Sequence, residues 1–193
     1  MLAIYTNFKE MIKTKSWKEK EFEEKYSNGI DTIYNSLFSI KEINRNKYSN
    51  EMTDKLFADM YLGIDTILEL QNGTKLSLQE KLRHSKILNS YPPTICIELM
   101  NDEETEKLGE WFSALPQLYF VGYVNTLTDN IVEWYLIDTA KLKILFKDIS
   151  LEELKAKYLK KNVPPKRANF LAIPINDIRK AVIVCSKYTS IME

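Results

Sequence analysis

The sequence has few of the residues that mark flexible linkers, disulfide frameworks and metal clusters. Among its 193 residues are five glycines, six prolines, two cysteines and one histidine. So few glycines and prolines argue against long linkers, and we expect one domain, residues 1–193, with a single sizeable core. Cys96 and Cys185 lie in apolar runs without the paired spacing of a disulfide framework or a zinc site, which predicts buried thiols in a reducing compartment.

The sequence also lacks an excess of charge of one sign and a long apolar run. Its 27 Lys and Arg residues balance 27 Asp and Glu residues, so the net charge indicates no partner. A nucleic-acid-binding protein would need a local positive surface instead. The first five residues are too short an apolar start for a signal peptide, and no apolar stretch reaches the ~20 residues that a membrane helix needs. We expect a soluble protein of the cytoplasm (the host cytoplasm if the protein is viral) that has no membrane partner.

Apolar periodicity divides the chain into a helical N-terminal part, residues 1–60, and a core of mixed sheet and helices, residues 61–185. In the first part apolar residues recur every three or four positions from Phe22 to Leu37, with a break predicted at Asn28-Gly29 and a second helix capped by Asp31. Beyond residue 62 the fold class is predicted as α/β or α+β. The strands are predicted at 64–70, 76–83, 94–100, 119–124, 131–137 and 170–174, and further helices at 52–60, 138–145, 151–159 and 176–182.

A hairpin around residues 71–73 joins the two strands that contain the candidate site, and two registers are open. A two-residue turn would place Asp65 across from Glu80, whereas a three-residue loop with a left-handed glycine places Asp65 across from Gln79. We favour the second register, because it keeps both apolar alternations on one face and gathers Asp65, Gln79 and Lys81 on the other. Glu80 would then lie among leucines and need a cation such as a helix-borne lysine. In the first register it would be a metal ligand.

The favoured register has a chemical meaning. A carboxylate and an amide oxygen on neighbouring strands can hold a hard divalent cation, which polarises a phosphodiester and activates water. Lys81 can stabilise the developing charge or help to position the attacking water. The Gln79 amide is a neutral ligand, so it attracts Mg²⁺ less than a second carboxylate would.

This segment resembles the active-site signature of PD-(D/E)xK nucleases, in which an aspartate is followed by Glu-x-Lys or Gln-x-Lys on the next strand. The matching residues are Gly63-Ile64-Asp65 and Leu78-Gln79-Glu80-Lys81. Weaker similarities follow at 94–98, 109–112, 134–138 and 170–174, so that the resemblance covers residues 59–178 and is to small viral and phage nucleases and archaeal Holliday-junction resolvases. It implies a restriction-endonuclease-like mixed sheet flanked by helices, dependence on Mg²⁺ or Mn²⁺, and hydrolysis of phosphodiesters.

The resemblance also assigns roles to residues. Asp65 would be the principal metal ligand, Gln79 would replace the family's usual glutamate, and Lys81 would be the catalytic lysine. Glu80 could lend its backbone carbonyl to the metal. The family often adds a glutamate from an early helix, for which Glu23 is the first candidate and the nearby Glu19 the second.

Two further features have both a functional and a plain structural interpretation. His84 could contact a phosphate or shuttle a proton, but we interpret it as a surface residue at a strand end. The segment from residue 155 to residue 167 has six basic residues and no acidic one, and it could neutralise phosphates or form a solvated helix face. Its candidate nucleic-acid-binding residues are Lys160, Lys161, Lys166 and Arg167.

Three functional hypotheses follow from these patterns. The first is a Mg²⁺-dependent nuclease that cleaves duplex or branched DNA with a metal-activated water; a homodimer is compatible with it, since two strands are often cut by a pair of subunits. The second is a nucleic-acid-binding protein on a nuclease scaffold whose metal site is weakened by Gln79. The third is a protein-interaction module in which the hairpin charges are ordinary surface pairs.

Overall fold

The computed structural model describes residues 16–45, 63–102, 107–113, 116–161 and 168–186. These residues form a mixed α/β fold of two sheets and several helices. The helices are α1 (Ser16–Lys25), α2 (Ser27–Leu37), α3 (Glu110–Ser113), α4 (Thr139–Leu145) and α5 (Leu151–Tyr158), with short 3-10 helices at Ser85–Asn89 and Ile175–Ala181. The strands are β1 (Ile40–Arg45), β2 (Thr66–Leu70), β3 (Lys75–His84), β4 (Thr94–Asp102), β5 (Lys107–Leu108), β6 (Leu118–Asn125), β7 (Asn130–Asp138), β8 (Leu159–Lys161), β9 (Asn169–Pro174) and β10 (Val182–Cys185).

The larger sheet has six strands in the order β1-β2-β3-β6-β7-β10. It is mixed, because β3 and β6 pair in parallel while the other neighbours are antiparallel. The chain between β3 and β6 contributes β4, β5 and α3, and β4 and β5 belong to a second, antiparallel sheet of order β5-β4-β9-β8. A crossover of this length is what a parallel pair requires. A mixed sheet with helices was expected, and the structure has one.

Two apolar cores cover the two faces of the larger sheet. On one face, leucines of β3 and aromatic residues of β6 and β7 pack against Tyr26, which lies between α1 and α2, and against Ile30 and Tyr34 of α2. On the other face, β6 and β7 pack against β4 and β9 of the smaller sheet and against α4 and α5. Leu78 and Leu82 of β3 belong to the helical core, and the residues between them point to the opposite face, since successive side chains of a strand point to opposite sides.

The hairpin between β2 and β3 has the favoured register. Thr66 pairs with Leu78 and Leu68 with Leu76, and the backbone N–H of Asp65 donates to the carbonyl of Leu78 (2.9 Å). Gly73 has a φ of 81°, the left-handed conformation predicted for the three-residue loop. The predicted register is confirmed for Thr66 to Glu69, and Asp65 lies just before the first paired residue of β2.

The N-terminal part departs from the expectation in two respects. The helical break lies at Tyr26, which has φ −101° and ψ 8°, so the predicted break at Asn28-Gly29 and the predicted cap at Asp31 are wrong. A strand, β1, occupies Ile40–Arg45 inside the stretch expected to be helical. The helix predicted at 52–60 lies outside the described residues. Within the described residues no helix combines the length and the apolar character that crossing a membrane requires.

Most of the C-terminal expectations hold. The strands predicted at 94–100, 119–124, 131–137 and 170–174 are present, and Asp138 caps α4 by accepting the backbone N–H of Lys141 at 2.9 Å. Ser150 and Glu153 form a capping box at the start of α5. The closing helix is the exception. It is a 3-10 segment that ends at Ala181, and Val182 begins β10 instead of continuing the helix.

Candidate functional site

The candidate site begins with Asp65, immediately before β2. The backbone N–H of Glu80 donates a 2.8 Å hydrogen bond to Asp65 Oδ2, so the aspartate side chain is attached to β3 next to Gln79. Because Leu78 and Glu80 face the helical core, Gln79 and Lys81 face the opposite side. The structure thus brings Asp65 to the strand segment that contains Gln79 and Lys81, as the sequence predicted.

Gln79 is the most deeply buried polar residue of the site. Its exposed fraction is 2%, and its side-chain oxygen Oε1 has no hydrogen-bond partner among the described residues. An unpaired buried amide oxygen costs on the order of 1–3 kcal/mol, so native proteins rarely leave one without a purpose. The position of this atom is compatible with a ligand-binding role.

Lys81 is surrounded by three carboxylates and a tyrosine from four different segments of the chain. The largest effect on the pKa of its ammonium is burial, which lowers it, but the negative charge of Glu110, followed by Tyr119, Asp65 and Glu23, raises it well above 10.5. Lys81 therefore stays protonated at neutral pH. A permanently charged ammonium can stabilise an anionic oxygen but cannot accept a proton.

Glu23 reaches the site from α1, as predicted. Its Oε1 lies 3.5 Å from the backbone nitrogen of Leu82, the residue after Lys81, and its charge contributes to the pKa of Lys81. The second candidate, Glu19, lies in α1, but its side chain is outside the described residues. Glu23 therefore lies near Lys81, and its role at the site stays a prediction.

Glu80 points away from the site into the helical core. It accepts hydrogen bonds from Tyr34 Oη (3.0 Å) and from Arg45 Nη1, and Arg45 also pairs with Asp31. A cation was expected beside Glu80, but it is an arginine on β1 and not a helix-borne lysine. The side chain of Glu80 is therefore unavailable as a metal ligand, while its backbone N–H holds Asp65.

Glu110 is the site residue for which sequence reasoning found no role. Its Oε1 lies 3.7 Å from Lys81 Nζ, and its Oε2 is buried without a hydrogen-bond partner among the described residues. It follows Gly109 in one of the weaker segments of similarity, residues 109–112. Gly109 is the sequence feature that could have indicated the position of Glu110, because a glycine permits a close approach of the chain to β4.

The remaining predicted residues lie elsewhere. His84 is exposed at the end of β3, with its ring centroid 4.6 Å from that of Phe22, in agreement with the surface interpretation. Lys160 and Lys161 lie in β8, an edge strand of the smaller sheet, whereas Asp65, Gln79 and Lys81 belong to the larger one. Lys166 and Arg167 lie outside the described residues. The described part of the basic segment thus lies on a different sheet from Asp65, Gln79 and Lys81.

A divalent cation fits some of the donors at this position. Among the described residues, no three His, Cys, Asp or Glu side chains form a group that could hold a metal ion. The donor set implied by the motif is different, since it includes the Gln79 amide and the Glu80 backbone carbonyl beside Asp65. The unpartnered Gln79 Oε1 and the excess of carboxylates over cations around Lys81 are both compatible with a hard cation, which prefers oxygen ligands.

Comparison of the chain with protein-family models, with curated proteins and with solved structures found no significant match.

Proposed function

We propose that the protein is a metal-dependent nuclease of PD-(D/E)xK type that hydrolyses DNA phosphodiesters, with its active site at Asp65, Gln79 and Lys81. The observation that supports the proposal is the hydrogen bond from the backbone N–H of Glu80 to Asp65, which brings the aspartate to β3 between Gln79 and Lys81. The restriction-endonuclease-like fold belongs to the same proposal, and the parallel pairing of β3 with β6 in a mixed sheet supports it. Glu23 supports it further, since a helix brings it to the same position.

Each residue has a distinct part in the proposed reaction. Asp65, the Gln79 amide oxygen and the Glu80 carbonyl would hold Mg²⁺ or Mn²⁺. Such a cation, when bound, polarises the phosphodiester and lowers the pKa of a coordinated water. Lys81 donates hydrogen bonds to the anionic oxygen that develops as the phosphodiester is attacked. Glu23 and Glu110 hold the Lys81 ammonium by their charge.

The test uses supercoiled, linear and branched DNA, with Mg²⁺, with Mn²⁺ and with EDTA. We expect cleavage that needs the metal and falls by roughly 100-fold or more in Lys81→Ala, which is the usual effect of removing a stabilising donor. Lys141→Ala is the matched control, because Lys141 pairs with Asp138 at 3.8 Å, nearly the separation of Lys81 and Glu110, and lies outside the site. Cleavage in EDTA, or equal activity of the two variants, would refute the proposal.

A second variant separates charge from structure. Asp65→Asn keeps an oxygen that can accept the N–H of Glu80, so we expect the hairpin and the folded state to persist. It removes the negative charge, so metal-dependent cleavage should fall together with Mn²⁺ affinity. An Asp65→Asn protein that cleaves as fast as the wild type would exclude this aspartate as a metal ligand.

The neutral amide of Gln79 favours one alternative, a DNA-binding protein whose nuclease site is weakened. The same set of reactions distinguishes it. Binding to DNA that weakens with salt, without cleavage under any metal condition, supports the alternative. Neither binding nor cleavage supports the third hypothesis, a protein-interaction module.

A further inference from the structure

The packing of Leu82 fixes which side chains of β3 lie on the face of the candidate site. Leu82 pairs with Gly122 of β6, where a Cβ atom would lie only 2.6 Å from Leu82 Cδ2. Leu82 therefore packs in the helical core, over a strand position that has no side chain. Lys81 and Arg83, on either side of it, consequently point to the opposite face, the one that contains Gln79. Along that face β3 has two neighbouring cations at strand positions roughly 6.5 Å apart.

Arg83 is half-buried beside two tyrosines of β6, Tyr119 and Tyr123. Burial raises the pKa of both tyrosines, and the charge of Arg83 acts in the opposite direction on each, in keeping with a guanidinium near their rings. Tyr119 Oη donates to the carbonyl of Cys96 at 2.9 Å. Tyr123 Oη donates to the carbonyl of Thr94 at 3.1 Å and accepts the backbone N–H of the same residue at 2.8 Å. Both hydroxyls are therefore engaged with β4 and do not neutralise the arginine.

Arg83 differs from Lys81 in having no acidic partner. Among the described residues its guanidinium forms no ion pair and no hydrogen bond, whereas the Lys81 ammonium lies 3.7 Å from Glu110 Oε1. Asp65 and Glu23 add further negative charge around that ammonium. A charged side chain that is partly removed from solvent is usually paired in proteins. The face of β3 at the site thus has one cation among carboxylates and, next to it, one whose N–H donors are available to an anion.

Two consecutive phosphates of a nucleic-acid strand fit this pair of cations. Each phosphate has one negative charge, and a single sugar separates it from the next, a distance similar to that between alternate residues of a β-strand. The planar guanidinium can donate two parallel hydrogen bonds to the oxygens of one phosphate. A strand that runs along β3 can therefore place one phosphate at Lys81 and the next at Arg83.

We propose that Arg83 is a phosphate-binding residue: it holds the phosphate next to the one at Lys81 and so aligns the substrate strand along β3. The inference deepens the proposed function and rests on it for the reaction at Lys81. Binding of a phosphate by Arg83 does not itself require cleavage. The two claims can therefore fail separately.

The first experiment measures binding without cleavage. The affinities of the wild type, Arg83→Gln and Arg83→Lys for a fluorescent DNA duplex are measured at several salt concentrations, with Ca²⁺ and with EDTA. We expect Arg83→Gln to bind about tenfold more weakly, and its slope of log affinity against log salt to be shallower by about 0.9, the value for one phosphate contact. Arg83→Lys keeps the charge, so its slope should match that of the wild type. Arg179→Gln is the matched control, because it removes an arginine that is bonded to Asn176 Oδ1 outside the site.

The second experiment identifies the phosphate that Arg83 contacts. The cleaved bond is mapped with Mg²⁺ or Mn²⁺, and the phosphate on either side of it is then replaced, one at a time, by an uncharged methylphosphonate. For the wild type we expect one of the two replacements to lower kcat/KM by about tenfold. The same replacement should have no further effect on Arg83→Gln, because the contact is already lost, but its full effect on Arg179→Gln. Penalties of equal size in Arg83→Gln and the wild type at both positions would overturn the proposal.

The outcomes separate the two claims. If Arg83→Gln binds the duplex with the affinity and the salt dependence of the wild type, or if the wild type does not bind it, the inference about Arg83 is wrong. If Arg83→Gln lowers both quantities but no DNA is cleaved under any metal condition, the phosphate contact stands and the proposed function fails. Equal thermal unfolding of Arg83→Gln and the wild type excludes a loss of structure as the cause of weaker binding. Arg83→Met, which keeps the apolar stem, provides the same comparison if Arg83→Gln is unstable.

Discussion

Arg45 offers the sharpest test of how the helical face of the larger sheet supports the site. Its guanidinium lies between Glu80 and Asp31 and also donates to Thr66 Oγ1 at 3.1 Å. The exposed fractions of the side chains are 16% for Arg45, 7% for Glu80 and 30% for Asp31. Arg45→Met keeps most of the apolar volume and removes the charge. Glu80 is then left as a buried carboxylate whose remaining hydrogen bond comes from Tyr34.

The expected cost follows from this arrangement. Removing one partner of a buried ion pair costs about 3–5 kcal/mol, because the other charge is left without compensation. The bond from Tyr34 retains part of the stabilisation of Glu80, and Asp31 is exposed enough to be solvated, so we expect the lower end, about 3 kcal/mol. For a domain of this size that corresponds to a decrease in Tm of roughly 6–12 °C. Arg45→Met/Glu80→Leu should recover about 2 kcal/mol of the loss, since it removes the uncompensated charge as well.

The measurement is urea unfolding at pH 7, followed by circular dichroism. Lys41→Met is the matched control, because Lys41 lies on the same strand as Arg45 and pairs with Glu69 at 2.5 Å but is 58% exposed, and surface pairs contribute at most about 1 kcal/mol. A cost for Arg45→Met no greater than that for Lys41→Met would refute the reasoning. So would a double variant that is less stable than the single one.

Three further changes test other parts of the structure. Gly73→Ala should lower the free energy of unfolding by about 1–2 kcal/mol, measured in urea, because φ is 81° while the space around it is open, so the cost is conformational only. Gly109→Ala should lower the free energy of unfolding by about 1–3 kcal/mol, since the new Cβ forces α3 away from β4; unchanged stability in urea would refute the close packing. Asp177→Asn should lower Tm at pH 7, because hydrogen bonds from Tyr158 and then from Lys157 hold the pKa of Asp177 below 3.8. A carboxylate whose pKa is lowered by folding stabilises the folded state at pH values above that pKa. The difference in Tm between Asp177→Asn and the wild type should therefore vanish as the pH falls toward 2, and a difference that stays constant with pH would contradict the charge effect.

The hairpin could be predicted from the sequence because its local signals agree. The apolar alternations on the two strands fix one register, and the glycine of the turn adopts the left-handed conformation which that register needs. A shift of one residue would have moved Leu68 and Leu78 from the core to the opposite face. This agreement brought Asp65, Gln79 and Lys81 together correctly.

Strand β1 could not be predicted, and a bulge is the physical reason. Ile40 and Ile43 are three residues apart, a spacing that indicates a helix. In the structure the register of β1 shifts between Ile40 and Glu42, so both isoleucines pack against the same core even though they lie on a strand. An extra residue in one strand turns two residues of odd spacing to the same face, and the apolar alternation that predicts a strand is then lost from the sequence. Without β1, the arginine that pairs with Glu80 could not be identified.

The predicted helical break at Asn28-Gly29 is wrong because Gly29 does not form a turn. Asn28 and Gly29 both lie inside α2, where a Cβ at position 29 would meet Ile131 Cδ1 at 3.3 Å. The glycine therefore serves packing between the helix and the hairpin of β6 and β7, and not a turn. Tyr26 interrupts the helices instead, and its hydroxyl donates to Asp129 Oδ1 at 2.7 Å on that hairpin. Such a tertiary contact has no signal in the local sequence.

The neutral side chain at position 79 can be explained by the charges around it. Asp65, Glu23 and Glu110 all act on Lys81, so three carboxylates already share one ammonium. A glutamate in place of Gln79, at 2% exposure, would add a buried negative charge that is far more costly than an unpaired amide oxygen. A glutamate would therefore destabilise the fold unless a cation were bound beside it, whereas the neutral Gln79 lets the protein fold without one. If the proposed metal site exists, the residue that lowers its affinity for the cation is thus also the one that lets the sheet fold without the cation.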